Sequence, residues 1–248
     1  MDYFAPFGGK EQFIAKFSAA YYCDSEEIVI GAAGKRVAKN SRLVENQMDT
    51  ILAEGIKGKR DVIRILAWKI GKIKHPDVVD ENRFVYHSDW LEAEEHPEKI
   101  KRYGKPFQID GFAQDIADNI KCLEEKEPQW VLNWLNDKAP RGIGTVYMLT
   151  LLYFISRGQC PIYDKFAKMA IDAIQGGAAV LDNHQKKPEI CYRELPSRSD
   201  DEFETIYKDR IEGYKCDIDR IFGYENYKED RNIDRALWVY GHYFKPVK

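Results

Sequence analysis

The sequence predicts an all-α protein of 248 residues. Apolar residues recur at three- and four-residue spacing along most of the chain, which is the period of a helix with one buried face. A single short run, EEIVIG at 26–31, reads as a strand. Strands and helices do not alternate, so a parallel α/β sheet is excluded. With 44% hydrophobic residues the chain can bury a sizeable core, and its length suits one large domain or two interlocked lobes.

The elements follow in order. KEQFIAKFSAAYY places Phe13, Ile14, Phe17, Ala20 and Tyr21 at helical spacing. Ser41 caps a second helix through 54, with Val44, Met48, Ile51 and Leu52 on one face. RDVIRILAWKIG repeats the pattern with Val62, Ile63, Leu66 and Ile70, and Gly71 stops it. Residues 75–105 are acidic and irregular, with Pro76 and Pro97, and read as an insertion or loop. Asp110 caps a helix carrying Phe112, Ile116 and Ile120. Pro128 opens another through Trp130, Val131, Trp134 and Leu135. Thr145–Ser156 is apolar on nearly every face, which predicts a buried central helix. Asp164 starts the next, with Phe166, Ala167, Ala170, Ile171 and Ile174, and Gly176 and Gly177 end it. A polar loop passes Pro188 and Pro196. One long helical stretch then carries Phe203, Tyr207, Ile211, Tyr214, Ile218 and Ile221. Asn232 caps the last helix, which places Ile233, Ala236, Leu237, Tyr240 and Phe244 on one face.

Charge and cysteine usage narrow the function classes. The net charge is −3, which argues against a uniformly basic nucleic-acid binder. The charge is segregated, however. Residues 57–74 hold seven Lys or Arg against Asp61, and 77–98 hold eight carboxylates against Arg83. A basic face can therefore coexist with an acidic one, the plain alternative being two solvated surfaces. The five cysteines are far apart and form no CxxC pair, so neither zinc nor an iron–sulfur cluster is expected, and mostly buried, reduced thiols are. The longest apolar run, Val146 to Ile155, is interrupted by Thr150 and is too short for a membrane helix. The N-terminus lacks a basic region followed by an apolar one, so no secretory signal is expected. An intracellular protein, cytoplasmic or nuclear, is the expectation. IVIGAAGKR lacks the glycine spacing and the hydroxyl of a phosphate-binding loop, because Gly31 and Gly34 are too close and Arg36 follows the lysine.

The stretch with most chemistry is the turn KAPRGIG at 138–144 between two helices. Gly142 and Gly144 allow positive φ and close backbone approach. The second helix then begins with unsatisfied N–H groups near Gly144 and Thr145, which suit an anion such as a DNA phosphate. Lys138 and Arg141 add charge beside them. Contacts of this kind position a protein on DNA without reading sequence. A plain tight turn has the same glycines.

The stretch GIG…SRGQCPIYDKFAKMAI resembles the helix–hairpin–helix DNA glycosylase superfamily, of endonuclease III-like fold. In that family a hairpin is followed by a buried helix, a short loop and an aspartate opening the next helix. Here these are Gly142–Gly144, Thr145–Ser156, 157–163 and Asp164. RALWVYGHYF resembles the family's closing helix, and ILAWKIGK at 65–72 looks like a helix of uncharacterised relatives. The resemblance covers 128–175 and 232–244. It implies two helical lobes: a six-helix barrel over 41–175 containing the helix–hairpin–helix at 128–156, and a second lobe from 1–40 plus 176–248. It also implies double-stranded DNA as partner, bound across a cleft with the target base flipped out, and a monovalent cation at hairpin carbonyls when DNA is bound.

The same resemblance gives Asp164 a catalytic role. Cleaving an N-glycosidic bond creates a sugar with oxocarbenium character, and a carboxylate near C1′ stabilises it and orients water. A helix start favours the ionised form, as it does for any capping aspartate. Bifunctional members use a lysine early in the second hairpin helix as nucleophile. The matching position, eighteen residues before Asp164, is Val146. Base excision without lyase activity is therefore the expectation, with a non-catalytic DNA-binding or protein-interaction protein as the alternative. No base pocket is legible, although Trp68, Trp90, Trp130, Trp134 and Trp238 are candidate stacking surfaces. His184 and His242 read as surface or structural.

Overall fold

The computed structural model describes residues 2–23, 29–30, 36–37, 40–76, 83–90, 92–102, 104–180 and 187–247. Gly31, Gly34 and His184 lie outside these residues. The architecture is mostly helical. Helix α1 (Lys10–Ala19) is followed by the antiparallel strands β1 (Val29–Ile30) and β2 (Arg36–Val37). Next come α2 (Arg42–Glu54) and α3 (Lys59–Ile70), the latter stopped by Gly71 in the left-handed region at φ 76°. Strands β3 (Ile73–Pro76) and β4 (Phe84–Tyr86) pair antiparallel, as do β5 (Lys101–Arg102) and β6 (Lys105–Pro106). Helices α4 (Asp110–Glu124), α5 (Pro128–Lys138), α6 (Thr145–Ile155) and α7 (Lys165–Gln175) follow. Strand β7 (Glu189–Cys191) precedes α8 (Glu212–Phe222), α9 (Tyr224–Glu229) and α10 (Arg231–Gly241). The last strand, β8 (Lys245–Val247), runs parallel to β7.

Several local expectations need correction. The acidic stretch 75–105 is not irregular throughout: β4 and β5 lie within it and β6 begins at its last residue. The segment from Phe203 to Ile221 is not one helix. It runs as a 3-10 turn (Asp201–Thr205), a π turn (Tyr207–Ile211) and then α8. Its apolar residues serve two different cores, so one unbroken stripe would not serve them. The last helix is capped by Asp230, whose carboxylate accepts from the Asn232 amide at 2.9 Å. Asp110 is the first helical residue of α4, not its cap, and accepts from Lys59 Nζ at 2.7 Å. The cysteines are exposed at Cys23, Cys122, Cys191 and Cys216 and buried only at Cys160, because the four fall on outward positions of their segments.

The chain forms two compact units. One comprises Met1–Ser41, Tyr163–Glu194 and Glu212–Lys248; the other comprises Arg42–Ile162 and Leu195–Ile211. The lobe boundaries expected from sequence differ at two places. Residues 163–175 belong with the terminal segments, and 195–211 belong with the hairpin. Contacts far apart in sequence decide both.

In the first unit, α10 packs against α1 and α7. Phe13, Phe17 and Tyr240 form an aromatic centre with ring centroids 4.9–5.2 Å apart. The Tyr240 hydroxyl donates to Ala178 O at 3.0 Å and accepts from Val180 N at 3.2 Å, which ties the chain after α7 to α10. Where α10 crosses α7 the backbones nearly touch. A Cβ on Gly241 would stand 1.9 Å from the Phe166 carbonyl oxygen. The glycine of the closing helix is therefore a packing requirement.

In the second unit, α6 is buried along its length and packs on α3, α4 and α5. Thr150, fully buried, returns its hydroxyl to Val146 O at 2.9 Å. Trp68 lies in this core and donates Nε1 to the buried Glu45 at 2.7 Å. The acidic segment folds onto the basic helix. Arg64 on α3 holds Glu94 through Nε at 2.9 Å and Nη2 at 2.8 Å, with side chains only 11% and 8% exposed. Tyr86 donates to the same carboxylate at 2.6 Å, and Arg60 approaches it at 3.2 Å. Lys72 pairs with Asp89 at 2.6 Å, and Arg83 pairs with Glu95. The two charge blocks thus meet through Arg60, Arg64 and Lys72 on one side and Glu94 and Asp89 on the other.

Two outcomes follow. Gly241→Ala should destabilise the protein by about 3 kcal/mol, a fall in melting temperature of roughly 10 °C in calorimetry. Glu94→Gln should cost about 3 kcal/mol in urea unfolding, because Arg64 keeps its charge in a site that has lost the counter-ion.

Candidate functional site

The hairpin is built from the end of α5, the turn 139–144 and the start of α6. Gly142 sits at φ 103°, where an L-residue is strained, and a Cβ there would lie 3.2 Å from the Phe107 ring. Gly144 behaves differently from the expectation. It is extended at φ −101° and ψ 175°, a conformation open to any residue. Gly144 is the N-cap of α6 and supplies no side chain to its amides. The carbonyl of Gly144 accepts from Tyr147 N and Met148 N at 3.0 and 3.3 Å. The amides of Gly144, Thr145 and Val146 have no acceptor among the described residues. They are the orphan donors of a helix start.

Each site residue inferred from sequence has a definite place. Lys138 and Arg141 are exposed and make no ion pair among the described residues. The Thr145 side chain is buried, and its hydroxyl donates to Pro196 O at 2.7 Å. Its side chain is therefore taken up within the fold. Asp164 belongs to the other unit. It is half-buried and caps α7, accepting from Phe166 N at 2.9 Å. The adjacent Tyr163 is buried, and its ring lies 5.1 Å from that of Tyr214. Burial pushes the Tyr214 phenol well above its usual range, and Asp234, Tyr163 and Asp164 add to the rise. Its hydroxyl is buried with no hydrogen-bond partner. Val146 is half-exposed.

Two arginines invisible as site residues in the sequence hold the turn. Arg198 donates Nη2 to Asn136 O at 2.6 Å and Nη1 to Pro140 O and Ile143 O at 3.1 and 3.2 Å. Its Nε donates to Asn136 Oδ1 at 2.8 Å. One guanidinium therefore ties the end of α5 to the last residues of the turn. Arg102, from β5, donates to Gly142 O and, at 3.0 Å, to the Tyr147 hydroxyl. Its guanidinium lies 5.0 Å from the Tyr147 ring centre and 5.5 Å from that of Phe107.

These contacts bear on the monovalent cation. The carbonyls of Pro140, Gly142 and Ile143 each accept from a guanidinium. An added cation there would meet fixed positive charge and occupied acceptors, so the residues present do not fit it. Among the described residues, no group of three or more His, Cys, Asp or Glu is placed to hold a metal ion. No helix there is long and apolar enough to cross a membrane.

The tryptophans separate by burial. Trp68 and Trp90 are in the core and have no face for a base. Trp130 is 45% exposed with Lys126 Nζ 5.6 Å from its ring centre. Trp134 and Trp238 are half-buried, and Trp238 abuts His242, which stacks on Phe166 at 3.5 Å. His242 Nδ1 is 2.7 Å from Trp238 O, a structural role.

No known protein family, curated protein or solved structure matches the chain. Arg198→Ala should loosen the turn, with a loss of about 2 kcal/mol in urea unfolding and faster exchange of the Ile143 amide, which bonds Pro140 O. Arg198→Lys should recover little of this, since an ammonium cannot reproduce the planar fork.

Proposed function

We propose that the chain binds duplex DNA through the α5–α6 hairpin and releases a base from it by hydrolysis, with Asp164 as the carboxylate. The observation that carries the binding half is the trio of unsatisfied amides at Gly144, Thr145 and Val146, beside the exposed Lys138 and Arg141. Unsatisfied donors at a helix start attract a phosphate, and the two cations strengthen the attraction at long range. The support for catalysis is Asp164 at the start of α7, together with the resemblance of 128–175 to the helix–hairpin–helix DNA glycosylases.

In this reading water adds to C1′ as the C1′–N bond breaks. Asp164 orients the water, accepts its proton and stabilises the charge on the sugar. Valine at 146 offers no amine, so no covalent Schiff base forms and the strand stays intact. A second reading has one observation in its favour. Asp164 already accepts from the Phe166 amide, which is the whole task of a capping residue. A binding protein without catalysis would need nothing more from it.

Asp164→Asn separates the two, because asparagine caps a helix as well as aspartate does but carries no charge. On duplexes each carrying one damaged base, the variant should lose base release, keep its melting temperature and keep its affinity for DNA. Unchanged turnover would remove Asp164 from the chemistry, and no turnover by the unaltered protein on any lesion would leave the binding reading alone. Borohydride should trap no protein–DNA adduct with either form.

A further inference from the structure

The β5–β6 hairpin stands beside the helical hairpin and shares its charge. Arg102 of β5 reaches Gly142 O and the Tyr147 hydroxyl. Phe107, just after β6, packs against Gly142. Arg102 pairs with Lys105 across the strands, and Lys101 pairs with Pro106. Lys101 and Lys105 are exposed and make no ion pair among the described residues. Residues 101–109 and 138–147 together hold Lys101, Arg102, Lys105, Lys138 and Arg141 and no carboxylate, with Asp110 and Asp137 adjoining them. Of the acidic residues that precede this hairpin, Glu94 is engaged with Arg60 and Arg64, Glu95 with Arg83 and Asp89 with Lys72, while Glu92 pairs with Lys99 at 3.8 Å and Glu98 with His96 at 3.2 Å. In a protein of net charge −3, Lys101, Lys105, Lys138 and Arg141 are thus exposed cations without an ion pair among the described residues.

We infer that the β5–β6 hairpin is a second arm of the DNA-backbone grip. Lys101 and Lys105 contact phosphates next to the one held at the start of α6. Arg102 is a positioning residue that ties the strand pair to the helical turn. The chemistry is a polyanion with closely spaced phosphates, as on duplex DNA. An isolated anion would need only the amides of α6, whereas two arms fixed to each other suit a run of charges. The inference rests on the DNA-binding reading above.

The test is the salt dependence of binding to a short undamaged duplex, followed by fluorescence anisotropy over a potassium chloride series. Each phosphate contact contributes about 0.9 to the slope of log K against log salt. Lys101→Ala/Lys105→Ala should lower the slope by about 1.8 and leave the melting temperature unchanged. Lys101→Arg/Lys105→Arg should restore it. A full slope in the alanine pair, with a reduced one in Lys138→Ala/Arg141→Ala, overturns the second arm and keeps the helical grip. A reduced slope in the first pair alone supports the arm and removes Lys138 and Arg141 from the site. Absence of duplex binding by the unaltered protein at low salt overturns both.

Discussion

The pairing of Arg64 with Glu94 sets much of the rest. Both side chains are mostly shielded from water, where an unmatched charge is costly. The acidic stretch must therefore lie along α3, with Tyr86 and Arg60 completing the same carboxylate. That placement takes Arg60 and Arg64 of α3 as partners of the acidic stretch. It also fixes the course of the chain into β5, which delivers Arg102 to Gly142 and Tyr147. Part of the charge that looked like surface in the linear sequence is structural. The surplus cations end up at the hairpin, which carried only two of them by sequence alone.

The helices were legible because their signals are local. Period, caps and stops at Gly71, Pro128 and Asp164 all lie within a few residues of what they specify. The buried central helix was equally plain, since Thr145–Ile155 has no polar face to show water. The short strand pairs were not legible. β5 and β6 are two residues each and carry no alternation that could be read. Arg198 was hidden for another reason. Its acceptors lie 55–62 residues away in sequence, and nothing around SRSD distinguishes it from a solvated loop cation. The same distance effect moved 163–175 and 195–211 across the expected lobe boundary.

Of the candidate site, the turn and the aspartate were read from sequence, and their working parts were refined by the structure. The Thr145 hydroxyl is turned to Pro196 and is spent within the fold. Gly142 is required by its backbone, and Gly144 is not. Tyr214, which periodicity places simply on an apolar face, brings a buried hydroxyl without a partner into the same unit as Asp164. A period reports that a side chain is inside and is silent on what its polar end finds there.

The guanidinium behind the turn has a kinetic meaning as well. Arg198 satisfies carbonyls on both sides of Gly142, so the loop is already in one shape before anything arrives. Its ordering entropy is settled during folding and does not reappear at encounter. A ligand that meets such a turn has no conformational search to wait for. Its capture would be governed by how fast two oppositely charged surfaces diffuse together and orient, and its escape by how many contacts must break at once.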